Sequence, residues 1–139
     1  MKPIPETLKS LVLRTDFSND AVWDALCEAI QTPTSDDGFR AVVEFVSDRD
    51  FEGISIEQVL ENTSEDWRHS FLFIVDHEAI ANPEHPVVVL DLYEERGRTF
   101  RVIPAEMWGV ENNLSIANMD FADFADNADA DGVFRGFPE

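Results

Sequence analysis

The chain has 139 residues, 44% of them hydrophobic, with 11 Phe and 3 Trp, which suits one domain with one packed core. Ten Lys and Arg stand against 29 Asp and Glu, a net charge of 10 − 29 = −19. A surface that acidic repels phosphate backbones, which speaks against direct nucleic-acid binding, and no apolar run reaches the roughly 18 residues that cross a bilayer.

The opening Met1-Lys2-Pro3-Ile4-Pro5-Glu6 lacks the apolar stretch of a secretory signal. Residues 1–10, with two prolines, read as an N-terminal arm, and 11–139 as a single α/β domain. Residues 11–14 form the first strand. Asp16-Phe17-Ser18-Asn19-Asp20 then offers several helix N-caps. Val22, Leu26, Ala29 and Ile30 make the apolar stripe of the helix that follows, which Pro33 ends. Cys27 lies in that helix, where it reads as a small buried hydrophobe, and one cysteine permits no disulfide within the chain. A cytoplasmic protein is expected.

Residues 41–46 are a second strand, and Ser55 with Gln58 is a capping box that opens a short helix. Phe71-Leu72-Phe73-Ile74-Val75 has no polar face and is too short for a typical helix, so it reads as a central strand covered on both sides. After one helical turn within 77–86, residues 87–93 and 99–103 flank Glu94-Glu95-Arg96-Gly97-Arg98 as an antiparallel hairpin. Pro104 starts a short helix that Gly109 ends. The pattern of 111–119 fits a helix or a strand equally, Asp120 caps a helix over 121–128, and 133–137 is extended. The expected architecture is a single mixed sheet of about five strands, parallel in its early part and antiparallel at the C-terminal hairpin, with helices packed on it.

Three strands run into aspartates, Asp16, Asp48 and Asp76. If the strands are parallel, these carboxylates share one rim, where oxygen-only ligation suits Mg²⁺ and a divalent-metal-dependent hydrolase. Each could equally cap a helix, and Arg14 could neutralise one of them. Asn127-Ala128-Asp129-Ala130-Asp131-Gly132 matches the first half of a Ca²⁺ loop, but Pro138 stands where the bidentate glutamate belongs. His77 adjoins Asp76, while His69 and His85 have no zinc spacing. Arg96, Arg98 and Arg101 put positive charge on the hairpin. Trp108, Glu111, Asn112 and Asn113, with Asn118, could line a polar pocket. No catalytic or phosphate-loop signature occurs. The leading expectation is a non-enzymatic acidic interaction module, without cofactor, for a basic protein partner or a nucleic-acid-binding one.

Val12-Leu13-Arg14-Thr15-Asp16-Phe17-Ser18, Glu84-His85-Pro86 and Phe100-Arg101-Val102 fit one further pattern, together with Trp108-Gly109-Val110-Glu111-Asn112-Asn113-Leu114-Ser115-Ile116-Ala117-Asn118-Met119-Asp120-Phe121 and Asp131-Gly132-Val133-Phe134-Arg135-Gly136-Phe137. This pattern resembles a family of small bacterial proteins, mainly actinobacterial, classed as a domain of unknown function. The resemblance covers nearly the whole chain and implies a free-standing bacterial protein, with no assigned activity or catalytic residues. Asp120-Phe121-Ala122-Asp123-Phe124 is also similar to the closing helix of SUKH-type immunity proteins, which implies an immunity- or inhibitor-like role.

Overall fold

The computed structural model describes residues 2–34 and 37–138. Among them are six strands: β1 (Ser10–Arg14), β2 (Val43–Val46), β3 (Phe71–Val75), β4 (Val87–Asp91), β5 (Thr99–Val102) and β6 (Val133–Phe134). Five α-helices accompany them: α1 (Asp20–Gln31), α2 (Ile56–Glu61), α3 (His77–Ala81), α4 (Met107–Ser115) and α5 (Phe121–Ala125). The strands form one sheet in the order β2-β1-β3-β4-β5-β6. β1 pairs parallel with β2 and β3, β4 runs antiparallel to both β3 and β5, and β6 lies parallel to β5.

The unbroken apolar run of β3 is explained by this position, because both of its faces are covered. Phe71, Phe73 and Val75 point with Val12, Val89 and Phe100 toward α1, α4 and α5, meeting Leu26, Val110 and Phe124. Leu72 and Ile74 point the other way with Leu11, Leu13 and Leu90, and there Ile4, Phe51 and Val59 of α2 cover them. Ile74 and Val89 are 3% and 0% exposed. Ile4 anchors the N-terminal segment on the second core, and Ser10 already belongs to β1. Among the described residues no helix is long and apolar enough to cross a membrane.

Two local expectations are corrected. Gly109 does not end a helix: a 3-10 turn at Pro104–Glu106 leads directly into α4, with Gly109 in its first turns. Met107, Val110 and Leu114 bury one stripe against the core. That burial outweighs the roughly 1 kcal/mol that glycine costs a helix. The same stripe resolves 111–119 as helix to Ser115, after which Ala117 takes a left-handed φ of 54°. The extended tail adds a sixth strand, because Val133 and Phe134 pair with Arg101 and Val102. Ser55 and Gln58 form both hydrogen bonds of the capping box.

Candidate functional site

Helices α1 and α2 cover opposite faces of the sheet, and β1 lies between β2 and β3. The chain thus reverses its winding direction beside β1, and in open α/β sheets ligands bind beyond the carboxyl ends of the strands at such a point. Asp16, Asp48 and Asp76 follow β1, β2 and β3 onto this rim, but each carboxylate has a different partner. Asp16 accepts from the Ser18 backbone N–H at 2.9 Å and from its hydroxyl, and lies 2.9 Å from His77 Nδ1. Partial burial pulls its pKa up, and these bonds from Ser18 and His77 outweigh that and hold it below the usual value. Asp48 accepts from Lys2 Nζ and from the Asp50 N–H, as the cap of a short 3-10 turn. Asp76 caps α3 through the Ala79 N–H and takes a two-pronged bond from Arg101 at 2.9 and 2.7 Å. Arg14 bonds Asp20 at 2.7 Å beside them. Among the described residues no group of three or more His, Cys, Asp and Glu is placed to hold a metal ion.

The hairpin arginines do not form a common positive spot. Arg96 donates to the carbonyls of Leu60, Thr63 and Leu92, Arg98 bridges Glu95 and Asp126, and Arg101 serves Asp76 and Glu78. In the loop that resembles half a Ca²⁺ site, the cation facing Asp129 and Asp131 is Arg135, which also holds Glu84. On α4, Trp108 stacks on Phe39 with centroids 5.2 Å apart. Glu111 is 5% exposed. It accepts from Ser10 Oγ at 3.0 Å, Ser115 Oγ at 2.5 Å and the Val42 N–H at 2.8 Å, so it ties α4 to β1 and to the approach to β2. Asn113 donates to the Gly109 carbonyl and accepts from Asn118, while Asn112 is exposed. The Asn113 contacts organise the helix and its C-terminal turn. The Cys27 thiol is pushed up to about 12, chiefly by burial and then by Asp24, which leaves it un-ionised and a poor nucleophile.

A polar cleft lies at the other end of the sheet. Phe71, the start of β3, is paired with Asp91, the end of β4. Around this pair a cleft of about 450 Å³ opens between three segments: 65–71 before β3, 91–94 after β4, and 114–121 between α4 and α5. Asp91 is buried and its carboxylate is occupied, accepting the N–H groups of Tyr93 at 2.9 Å and Glu95 at 2.8 Å, which turns the chain out of the strand. Four other carboxylates line the cleft, from Glu65, Asp66, Glu94 and Asp120, and none has an ion-pair partner among the described residues. Glu94 is raised above the ordinary carboxylate value, first by desolvation and then by the charge and hydrogen bond of Asp120. Trp67 and Tyr93 supply aromatic surface, and Tyr93 is 75% exposed. His69 lines the same cleft with Nε2 donating to the Thr7 carbonyl at 3.0 Å, and Arg68 is its one arginine.

None of these cleft residues was singled out from the sequence as a site. The available signal was the polar run 62–66 with Trp67 just before the central strand, together with the Glu94-Glu95 pair in the hairpin turn. No curated protein matches the sequence. A family model described as "Domain of unknown function (DUF6924)" matches residues 9–137, from the residue before β1 to the segment after β6. The chain belongs to this family of uncharacterised domains.

Proposed function

We propose that the protein is a non-enzymatic acidic interaction module that binds a basic protein partner, in the manner of an inhibitor or immunity protein, inside a bacterial cell. The observation that carries this reading is the placement of its few cations. Lys2, Arg14, Arg49, Arg98, Arg101 and Arg135 are each held by carboxylates of the same chain, and Arg96 by backbone carbonyls. That leaves Lys9, Arg40 and Arg68 as the cations without such a contact among the described residues. The net charge of −19 is consequently presented outward with little positive charge to interrupt it. Such a field speeds the encounter with a cationic surface and repels competing anionic ones.

The test is capture of partners from the native cell lysate at low and high salt. A partner of basic surface is expected, with capture weakened at least about tenfold as salt rises from about 0.05 to 0.5 M. Capture that is indifferent to salt, or no partner at all, overturns the reading.

A further inference from the structure

We infer that the free edge of β2 pairs with the same edge of a second copy of this chain, joining two sheets into one across a two-fold axis; this goes beyond the basic-partner reading and does not rest on it. β2 is the last strand on its side of the sheet, with β1 as its neighbour. No hydrogen bond from any other described residue reaches the backbone of Val43–Val46, so its outward N–H and C=O groups are open to another strand. Proteins blunt such edges with a proline, a bulge or several charges. β2 instead keeps an unbroken register with β1 and carries one charged residue, Glu44. β1, β3 and β4 are buried throughout, whereas Phe45 and Val46 are half-buried. Just before the strand, Phe39 and Val42 are 53% and 55% exposed.

The occupant follows from the order of charges along the edge. Arg40 stands before the strand, exposed and without an ion-pair partner among the described residues, while Asp48 and Asp50 stand after it. Two identical edges related by a two-fold axis run antiparallel, which brings the basic start of each against the acidic end of the other. Glu44 opposite Glu44 is repulsive, whereas Phe45 opposite Phe45 makes an aromatic cross-strand pair. With Phe45 at the axis, Arg40 and Asp50, each five residues away from it, come opposite one another at both ends of the joint. Lys2 holds Asp48, but the Asp50 side chain is 64% exposed with Lys2 3.8 Å away. A purely cationic segment in this place would satisfy Asp50 and Glu44 and meet Arg40 with the same sign. A second copy satisfies both signs at once.

The test is sedimentation equilibrium of the full chain over about 1–100 µM, at about 0.15 M salt, which screens the repulsion between two chains of net charge −19 beyond roughly 8 Å. The parent is expected to pass from 15.8 kDa to twice that mass as its concentration rises. Arg40→Asp and Asp50→Arg are each expected to weaken the dimer about tenfold, although they move the net charge in opposite directions. Both positions are exposed, so the fold tolerates the changes. Combined, they exchange the two signs and should return the dissociation constant to within about threefold of the parent. A parent that stays at 15.8 kDa throughout overturns the inference. A combined variant as weak as the single ones means that the two residues do not meet, and the antiparallel edge falls. Weakening by Arg40→Asp with tightening by Asp50→Arg reduces the effect to net charge and overturns the inference as well. Each of these failures leaves the capture of a basic partner standing or falling on its own test.

Discussion

Replacing Glu111 by alanine removes the acceptor that joins α4 to β1 and to the approach to β2. Without it the Val42 N–H has no acceptor, which costs about 1–3 kcal/mol for a group held away from water. The Ser10 and Ser115 hydroxyls lie 3.3 Å apart and can pair with each other, so their share is smaller, about 1 kcal/mol. The sum is about 3 kcal/mol. With about 2.1 cal/mol/K of unfolding entropy per residue, 139 residues give about 0.29 kcal/mol/K, and Tm falls by about 10 °C. Glu111→Gln behaves differently. Its carbonyl oxygen still accepts from Val42, and its amide donates to hydroxyl oxygens that can rotate to accept, so the loss stays under about 1 kcal/mol, or about 3 °C. Differential scanning calorimetry of the two variants decides the matter. An alanine variant that melts within about 3 °C of the parent, or a glutamine variant that melts as low as alanine, would refute the reasoning.

Ala117→Gly relieves a left-handed conformation that costs an alanine roughly 1–2 kcal/mol, against the 0.5–1 kcal/mol of extra chain freedom that glycine loses on folding. Since Ala117 is exposed, Tm should rise by about 2 °C, and a fall would contradict the assignment of strain. Glu94→Gln should raise Tm at neutral pH. A carboxyl whose folded pKa is raised destabilises the fold once ionised, and that penalty disappears as pH drops through the raised value. The difference between parent and variant should therefore close below the ordinary value of 4.5, and a gap that widens in acid is incompatible with this account. Adding Mg²⁺ or EDTA should leave the melt within about 1 °C, because Asp16, Asp48 and Asp76 already have separate partners. A clear Mg²⁺-dependent rise that Asp16→Asn and Asp76→Asn abolish would instead support the hydrolase reading.

The central strand was legible because Phe71 to Val75 has no polar position, and only a strand covered on both faces tolerates that. The capping residues were legible for a similar reason, since Ser55, Asp76 and Asp120 act within a few positions of themselves. Gly109 misled because its local preference opposes helix, while the stripe that overrides it gains energy from residues far away in the chain. The two-residue β6 carries almost no pattern and exists because Arg101 and Val102 offer an open edge. The arginines illustrate the same limit. Their charge is visible in the sequence, but that Arg101 meets Asp76 and Arg135 meets Glu84 depends on segments brought together by the sheet. The cleft was hidden because its walls come from three separate stretches, none of which resembles a site alone.

The sheet has two halves with different assembly histories. β3, β4 and β5 are consecutive antiparallel neighbours, so they can zip up from short loops. β1 must find Val43 of β2 and Phe73 of β3 across long intervening stretches, and such distant parallel pairing is slow to form. The meander is therefore expected to be organised in the rate-limiting step, and the parallel half to dock afterwards. Glu111, which clamps α4 onto that late half, should then influence how quickly the protein comes apart far more than how quickly it assembles. A chevron plot in which Glu111→Ala slows refolding as much as it lowers stability would place the parallel half in the nucleus instead.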